Sequence, residues 1–148
     1  MFVVGLKLRQ DPPGPLPEAL ERAGFALAGG PDVEIHGAED APGPPLRACL
    51  EGARILVCGG YGPLTAALHV GPLGERVGGH ATATRRGMPH LDHVEATPVT
   101  GVGYALYRVG PACVALGGVR GRGWAAYLGD PAPDPALAVA VLRWLAAH

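Results

Sequence analysis

Ile55-Leu56-Val57-Cys58-Gly59-Gly60-Tyr61 carries the sharpest chemical signature in the chain. The apolar run reads as a buried strand, and Gly-Gly before Pro63 reads as a tight turn into a helix. A residue held at such an elbow is lifted above the sheet edge, with backbone N–H groups aimed at the same point. That geometry lowers a thiol pKa through the helix N-terminus and supplies oxyanion donors. Cys58 is therefore a candidate nucleophile, with Gly59, Gly60 and Tyr61 as candidate ligand-binding positions. The alternative is a cysteine acting as a small core hydrophobe. Cys49 and Cys113, on a predicted helix and an apolar strand, read that way.

A thiol nucleophile needs a base to take its proton. His36 is one candidate, because its loop and Cys58 both lie near the C-terminal ends of predicted strands. His90-Leu91-Asp92-His93-Val94-Glu95 is the densest polar cluster and offers His90 and His93. On a helix these two and a carboxylate could share a divalent metal. Pro89 and Pro98 bracket the segment, however, and in an extended chain His90 and His93 point to opposite faces. No metal and no cofactor are expected. Gly117 to Gly123 reads as a hairpin turn, Arg85-Arg86 as a solvated pair, and Asp130 to Asp134 as a stiff entry into the last helix.

The elements that must position these groups follow from the apolar pattern. Phe2–Leu8, Phe25–Ala28 and Arg54–Cys58 read as strands, and Leu16–Ala23, Leu46–Gly52 and Pro63–His69 as helices. A loop is expected from Val33 to Pro45. His80–Thr84, His93–Ala96, Tyr104–Val109, Cys113–Leu116 and Trp124–Leu128 read as further short strands separated by glycine turns. The final helix is capped by Asp134, with Pro135 at its first position and Leu137, Val141, Trp144, Leu145 and His148 at helical spacing. The alternation of strand and helix in the first half favours a parallel, doubly wound sheet.

Composition narrows the function. Of 148 residues, 24 are Gly and 16 are Pro, a proportion that invites suspicion of low complexity. Yet 48% are hydrophobic and only 17% charged, which argues for a folded chain. Neither Ser nor Asn occurs, so serine nucleophiles, N-glycosylation and Cys-His-Asn triads are excluded. With 12 basic and 13 acidic residues there is no electrostatic footprint for nucleic acid. No apolar run reaches the ~20 residues of a membrane helix, and no basic-then-apolar leader opens the chain. Three Cys without a leader point to a reducing cytoplasm. All the basic residues except Lys7 are Arg, which hints at a thermophilic source.

Val57-Cys58-Gly59-Gly60-Tyr61 resembles the nucleophile motif of class I glutamine amidotransferases. The nearest variant is that of cobyric acid synthase, cobyrinic acid a,c-diamide synthase and a related cell-wall amidotransferase, roughly Gly-Ile/Val-Cys-Gly-Gly-Tyr-Gln. Gly29-Gly30-Pro31-Asp32 resembles the family's glycine loop at the oxyanion hole. Gly103 to Tyr107 and Gly123 to Asp130 resemble two later segments, so the resemblance runs over about residues 25 to 148. The family's catalytic His is replaced by Gly129, its Glu and second His by Ala105 and Tyr107, and its Gln by Gly62.

The resemblance implies an α/β, three-layer, flavodoxin-like, mostly parallel sheet in a single domain over residues 1–148. It implies a degenerate amidotransferase-like domain that lacks full glutaminase activity and binds a glutamine-like small molecule or a synthetase partner. The alternatives are an active thiol enzyme and a purely structural domain. In the active reading Cys58 attacks, the N–H groups of Gly59 and Gly30 hold the oxyanion, and a relocated His36, His90 or His93 is the base. Gly29, Gly30, Gly59, Gly60 and Tyr61 form the expected ligand site. A homo-oligomer is compatible with any of these readings; membrane and nucleic-acid partners are not expected.

Overall fold

The turns at Gly110 and Gly121 decide the architecture. A computed structural model describes residues 4–8, 25–26 and 33–148. It runs β9 (Tyr104–Val109), β10 (Ala112–Arg120) and β11 (Gly123–Leu128) in direct succession. The short connections cannot hold the dozen or more residues of a parallel crossover. Gly110 and Gly121 take φ of 58° and 62°, a conformation that tight hairpins favour and side chains resist. The three strands are therefore antiparallel, with Leu116 opposite Tyr127 on one side and Ala105 on the other. β6 (Val77–Ala83) continues antiparallel beside β9, and β7 (Leu91–Ala96) beside β6.

The first half of the chain pairs differently. β1 (Val4–Leu8), β2 (Phe25–Ala26), β3 (Val33–Gly37) and β4 (Arg54–Cys58) are joined in parallel, and β4 pairs in parallel with β11. The resulting sheet has the order β2-β1-β3-β4-β11-β10-β9-β6-β7, parallel as far as β11 and antiparallel beyond it. A separate pair, β5 (Val70–Pro72) and β8 (Val99–Gly101), packs near β10. Helices are fewer: α1 (Gly43–Leu50), α2 (Pro63–Leu68) and α3 (Pro135–Ala146) among the described residues.

This overturns the flavodoxin-like expectation. The first-half alternation does give parallel pairs, but hairpins build the rest of a mixed, strand-dominated sheet. The expected loop from Val33 to Pro45 is also corrected, since it contains β3 and the start of α1. The helix expected at Leu16–Ala23 lies outside the described residues.

Alternation along β4 and β11 sends side chains to two cores. Leu56, Cys58, Ala126 and Leu128 join α3, while Ile55, Val57, Ala125 and Tyr127 join α1 and α2. α3 touches β3, β4 and β11, and also β7 at the far edge of the sheet. The sheet thus curls around this one helix. Leu137, Val141, Leu142 and Leu145 are fully buried there, each contributing about 1.5–3 kcal/mol by removal from water. Asp134 caps α3, its carboxylate accepting the Ala136 N–H at 3.0 Å. No helix among the described residues is long and apolar enough to cross a membrane.

Candidate functional site

Cys58 ends β4 directly beside Leu128 at the end of β11. Its side chain is buried. Burial, and then the nearby Asp130 carboxylate, push its thiol up to about 12. An activated thiol requires the opposite shift, toward the thiolate. The expected oxyanion donor is also engaged: the Gly59 N–H donates to the Leu128 carbonyl at 3.0 Å. The Gly59 carbonyl accepts the Tyr127 hydroxyl at 2.6 Å, and the Cys58 carbonyl accepts the Ala38 N–H at 3.0 Å.

The glycines of the motif have a packing reason. Gly59 has φ of 135°, and a Cβ there would lie 2.9 Å from the Ala38 Cβ. The loop from β3 to α1 therefore crosses tightly over this turn. Tyr61 points away from it, 82% exposed, and its hydroxyl donates to the Pro72 carbonyl at 3.2 Å. Gly29 and Gly30 lie outside the described residues.

A second segment closes the edge above Cys58. The Thr97 N–H and hydroxyl donate to the two oxygens of Asp130, at 2.9 and 2.6 Å. This pins the connection from β7 to β8 across the end of β11. A Cβ on Gly129 would meet the Val99 Cγ1 at 2.9 Å and the Thr97 carbonyl oxygen at 3.1 Å. The position at which the resemblance placed a catalytic histidine is thus filled by neighbouring chain.

The three candidate bases are held elsewhere. His36 lies opposite Val57 in the β3–β4 register, on the face away from the core that holds Cys58. Its ring sits between two carboxylates, Nε2 3.1 Å from Glu34 Oε1 and Nδ1 3.2 Å from Asp40 Oδ2. Each ring nitrogen thus faces a carboxylate oxygen, and neither faces the thiol. His90 accepts the Ala83 N–H through Nδ1 at 3.0 Å, and His93 is exposed, 4.0 Å from Glu95. None of the three makes a hydrogen bond with Cys58. No group of His, Cys, Asp and Glu among the described residues could hold a metal ion.

An open concavity lies at the other end of α3 instead. It is lined by Arg85, Arg86, Met88, Arg143, Trp144 and His148 and encloses about 640 Å³. Arg85 and Arg86, expected as a solvated pair, are both exposed, and Arg85 stacks over the Tyr104 ring, with Cζ 4.0 Å from the ring centre. The one available signal was that Trp124 and Trp144, the chain's two tryptophans, fall on neighbouring elements at that end.

No family model and no curated protein matches the sequence. Solved structures do match. The β-galactosidase from Bacillus circulans sp. alkalophilus aligns with a TM-score of 0.58 and 14% identity over 78% of this chain. The cold-adapted β-galactosidase from Rahnella sp. R3 aligns with a TM-score of 0.53 and 16% identity over 76%. The matched region is 22% of either enzyme, so the chain spans about a fifth of the length of these relatives. The cytoplasmic protein STM3548 from Salmonella typhimurium aligns end to end, with a TM-score of 0.59 and 13% identity over 98% of this chain and 99% of its own. At such identities the likeness is one of fold. The resemblance to class I glutamine amidotransferases, and to the cobyric acid synthase variant in particular, is overturned: the solved neighbours are of other kinds and the sheet is mixed. With it falls the degenerate-amidotransferase reading of function.

Proposed function

We propose that the chain is a non-catalytic accessory domain, of the kind that forms one small part of the β-galactosidases it resembles in fold. The observation that carries this is the sealing of the Cys58 edge by the chain itself. The thiol is buried and protonated, the Gly59 N–H beside it is paired, and the Thr97–Asp130 contact covers it. An edge closed by main chain has no room for a substrate, so the domain works through its outer surface.

Residues 1–148 are proposed to form one domain, because β1 and β2 join the same sheet as the C-terminal strands. A cytoplasmic location is proposed on two supports: all three cysteines are free thiols, and two structural neighbours, both from Salmonella typhimurium, bear the name cytoplasmic protein.

The test is alkylation of the native chain with iodoacetamide, read by peptide mass. Half-buried Cys113 is expected to react first, with Cys49 and Cys58 protected until urea unfolds the chain. Rapid stoichiometric modification of Cys58 in the folded chain overturns the reading.

A further inference from the structure

We infer that the concavity at the C-terminal end of α3 is a binding site for a small phosphorylated ligand with a planar ring, of the mononucleotide class. Its floor is apolar and aromatic. Trp144 packs edge-on against Trp124, ring centres 5.5 Å apart, and the His148 ring lies 4.6 Å from both. The His148 Nδ1–H donates to the Trp144 carbonyl at 2.7 Å, which fixes the imidazole at the helix end. Tyr104 stands opposite Gly117 in the β9–β10 register. A Cβ on Gly117 would touch Trp144 at 2.7 Å, so Tyr104 belongs to the same face.

The rim is cationic. Arg85, Arg86 and Arg143 line it, and among the described residues no Asp or Glu side chain does. Two full positive charges match a phosphate dianion in charge and in the paired donors that phosphate oxygens accept. The hollow is open to solvent and holds about 640 Å³.

The loop that carries the arginines is anchored at both ends. Before it, the Thr84 N–H donates to the Leu106 carbonyl at 3.0 Å, and the Thr84 hydroxyl donates to the Ala105 carbonyl. After it, the hydroxyl of buried Tyr107 donates to the Pro89 carbonyl at 2.7 Å. The Met88 N–H closes a turn onto the Arg85 carbonyl at 3.3 Å. Stacking on Tyr104 holds the Arg85 guanidinium, so little ordering remains for a ligand to impose.

Because Trp144 lines this site and Trp124 packs against it, tryptophan fluorescence reads its occupancy. The full chain is titrated with AMP to about 10 mM in about 50 mM salt, where charge contacts are little screened. Adenosine, inorganic phosphate and a single-stranded oligonucleotide are run in parallel. Saturable quenching by AMP is expected, with Kd between about 10 µM and 1 mM. The double variant Arg85→Ala/Arg86→Ala should raise that Kd by about tenfold or more, with the thermal midpoint unchanged. Absence of saturation, an unaltered Kd in the variant, or adenosine or phosphate binding as tightly as AMP overturns the assignment. Retention of the oligonucleotide without AMP binding overturns it too.

Discussion

The two ends of α3 are built in opposite ways. A helix N-terminus ordinarily attracts anions, through its unpaired N–H groups and the positive end of its dipole. Here that end is satisfied from within: Asp134 accepts the Ala136 N–H and also the Glu95 N–H at 3.2 Å. Asp130 ties Thr97 down just before it. The C-terminal end, where the dipole disfavours anions, is the one that stays open and carries Arg85 and Arg86. The lesson is that side chains on a neighbouring loop, and not the helix, set the electrostatic character of each end.

The contrast predicts that changes at the sealed end cost stability and changes at the open end do not. The largest effect is expected on the opposite face of the sheet at the same strand edge, for His36→Ala, which leaves Glu34 and Asp40 without the ring between them. The loss should be about 3 kcal/mol in urea unfolding, since both carboxylates lose their contact with the ring. A loss under about 1 kcal/mol would mean that solvent replaces the ring and that β3 is not fixed by this trio.

Asp130→Ala should lose about 2–3 kcal/mol, since the Thr97 N–H and hydroxyl are left without their acceptor. The same variant should speed alkylation of Cys58 in the folded chain. If Cys58 stays protected, the seal rests on Val99 and Ala38 and not on the carboxylate.

Alkaline pH gives a smaller, graded effect. The Cys58 thiol is raised from near 9 to about 12 in the folded chain. Its contribution is therefore complete below pH 9 and is lost as pH climbs toward 12, because the unfolded chain releases the proton first. Stability should fall in that window by about 1.4 kcal/mol per pH unit for this thiol. Thermal melts of Cys58→Ala should show a shallower alkaline decline. Smallest of all, Arg86→Ala should change unfolding stability by under about 0.5 kcal/mol, and a larger loss would show that the open end also supports the fold.

Much of the fold was legible where local chemistry and burial agree. β4 is a continuous apolar run and occupies the residues expected of it, and α3 begins at the Asp134 cap as its sequence dictates. β3 was not legible, because Glu34 and His36 look like loop residues until Asp40 arrives to pair with the ring. The parallel reading failed at Gly110 and Gly121. The connections there were short in the sequence too, but the strand–helix rhythm of the first half outweighed them. As for the site, the Cys-Gly-Gly-Tyr spacing was visible while its cause was not. Ala38 and Thr97, which close the edge, are distant in sequence, as is Tyr104 from the arginine it holds.

β11 has consequences for how the chain assembles. One neighbour, β10, is reached through a two-residue turn; the other, β4, only after the chain between Cys58 and Gly123 has closed into a loop. Local pairs form early and distant ones late, since loop closure must precede their contacts. The hairpins β9–β10–β11 are thus the natural nucleus. Until β4 docks, β11 offers a bare apolar edge with Ala125, Ala126 and Leu128 along it. An unpaired edge of that kind is a template for other chains, so the slow parallel joint is where folding and aggregation compete.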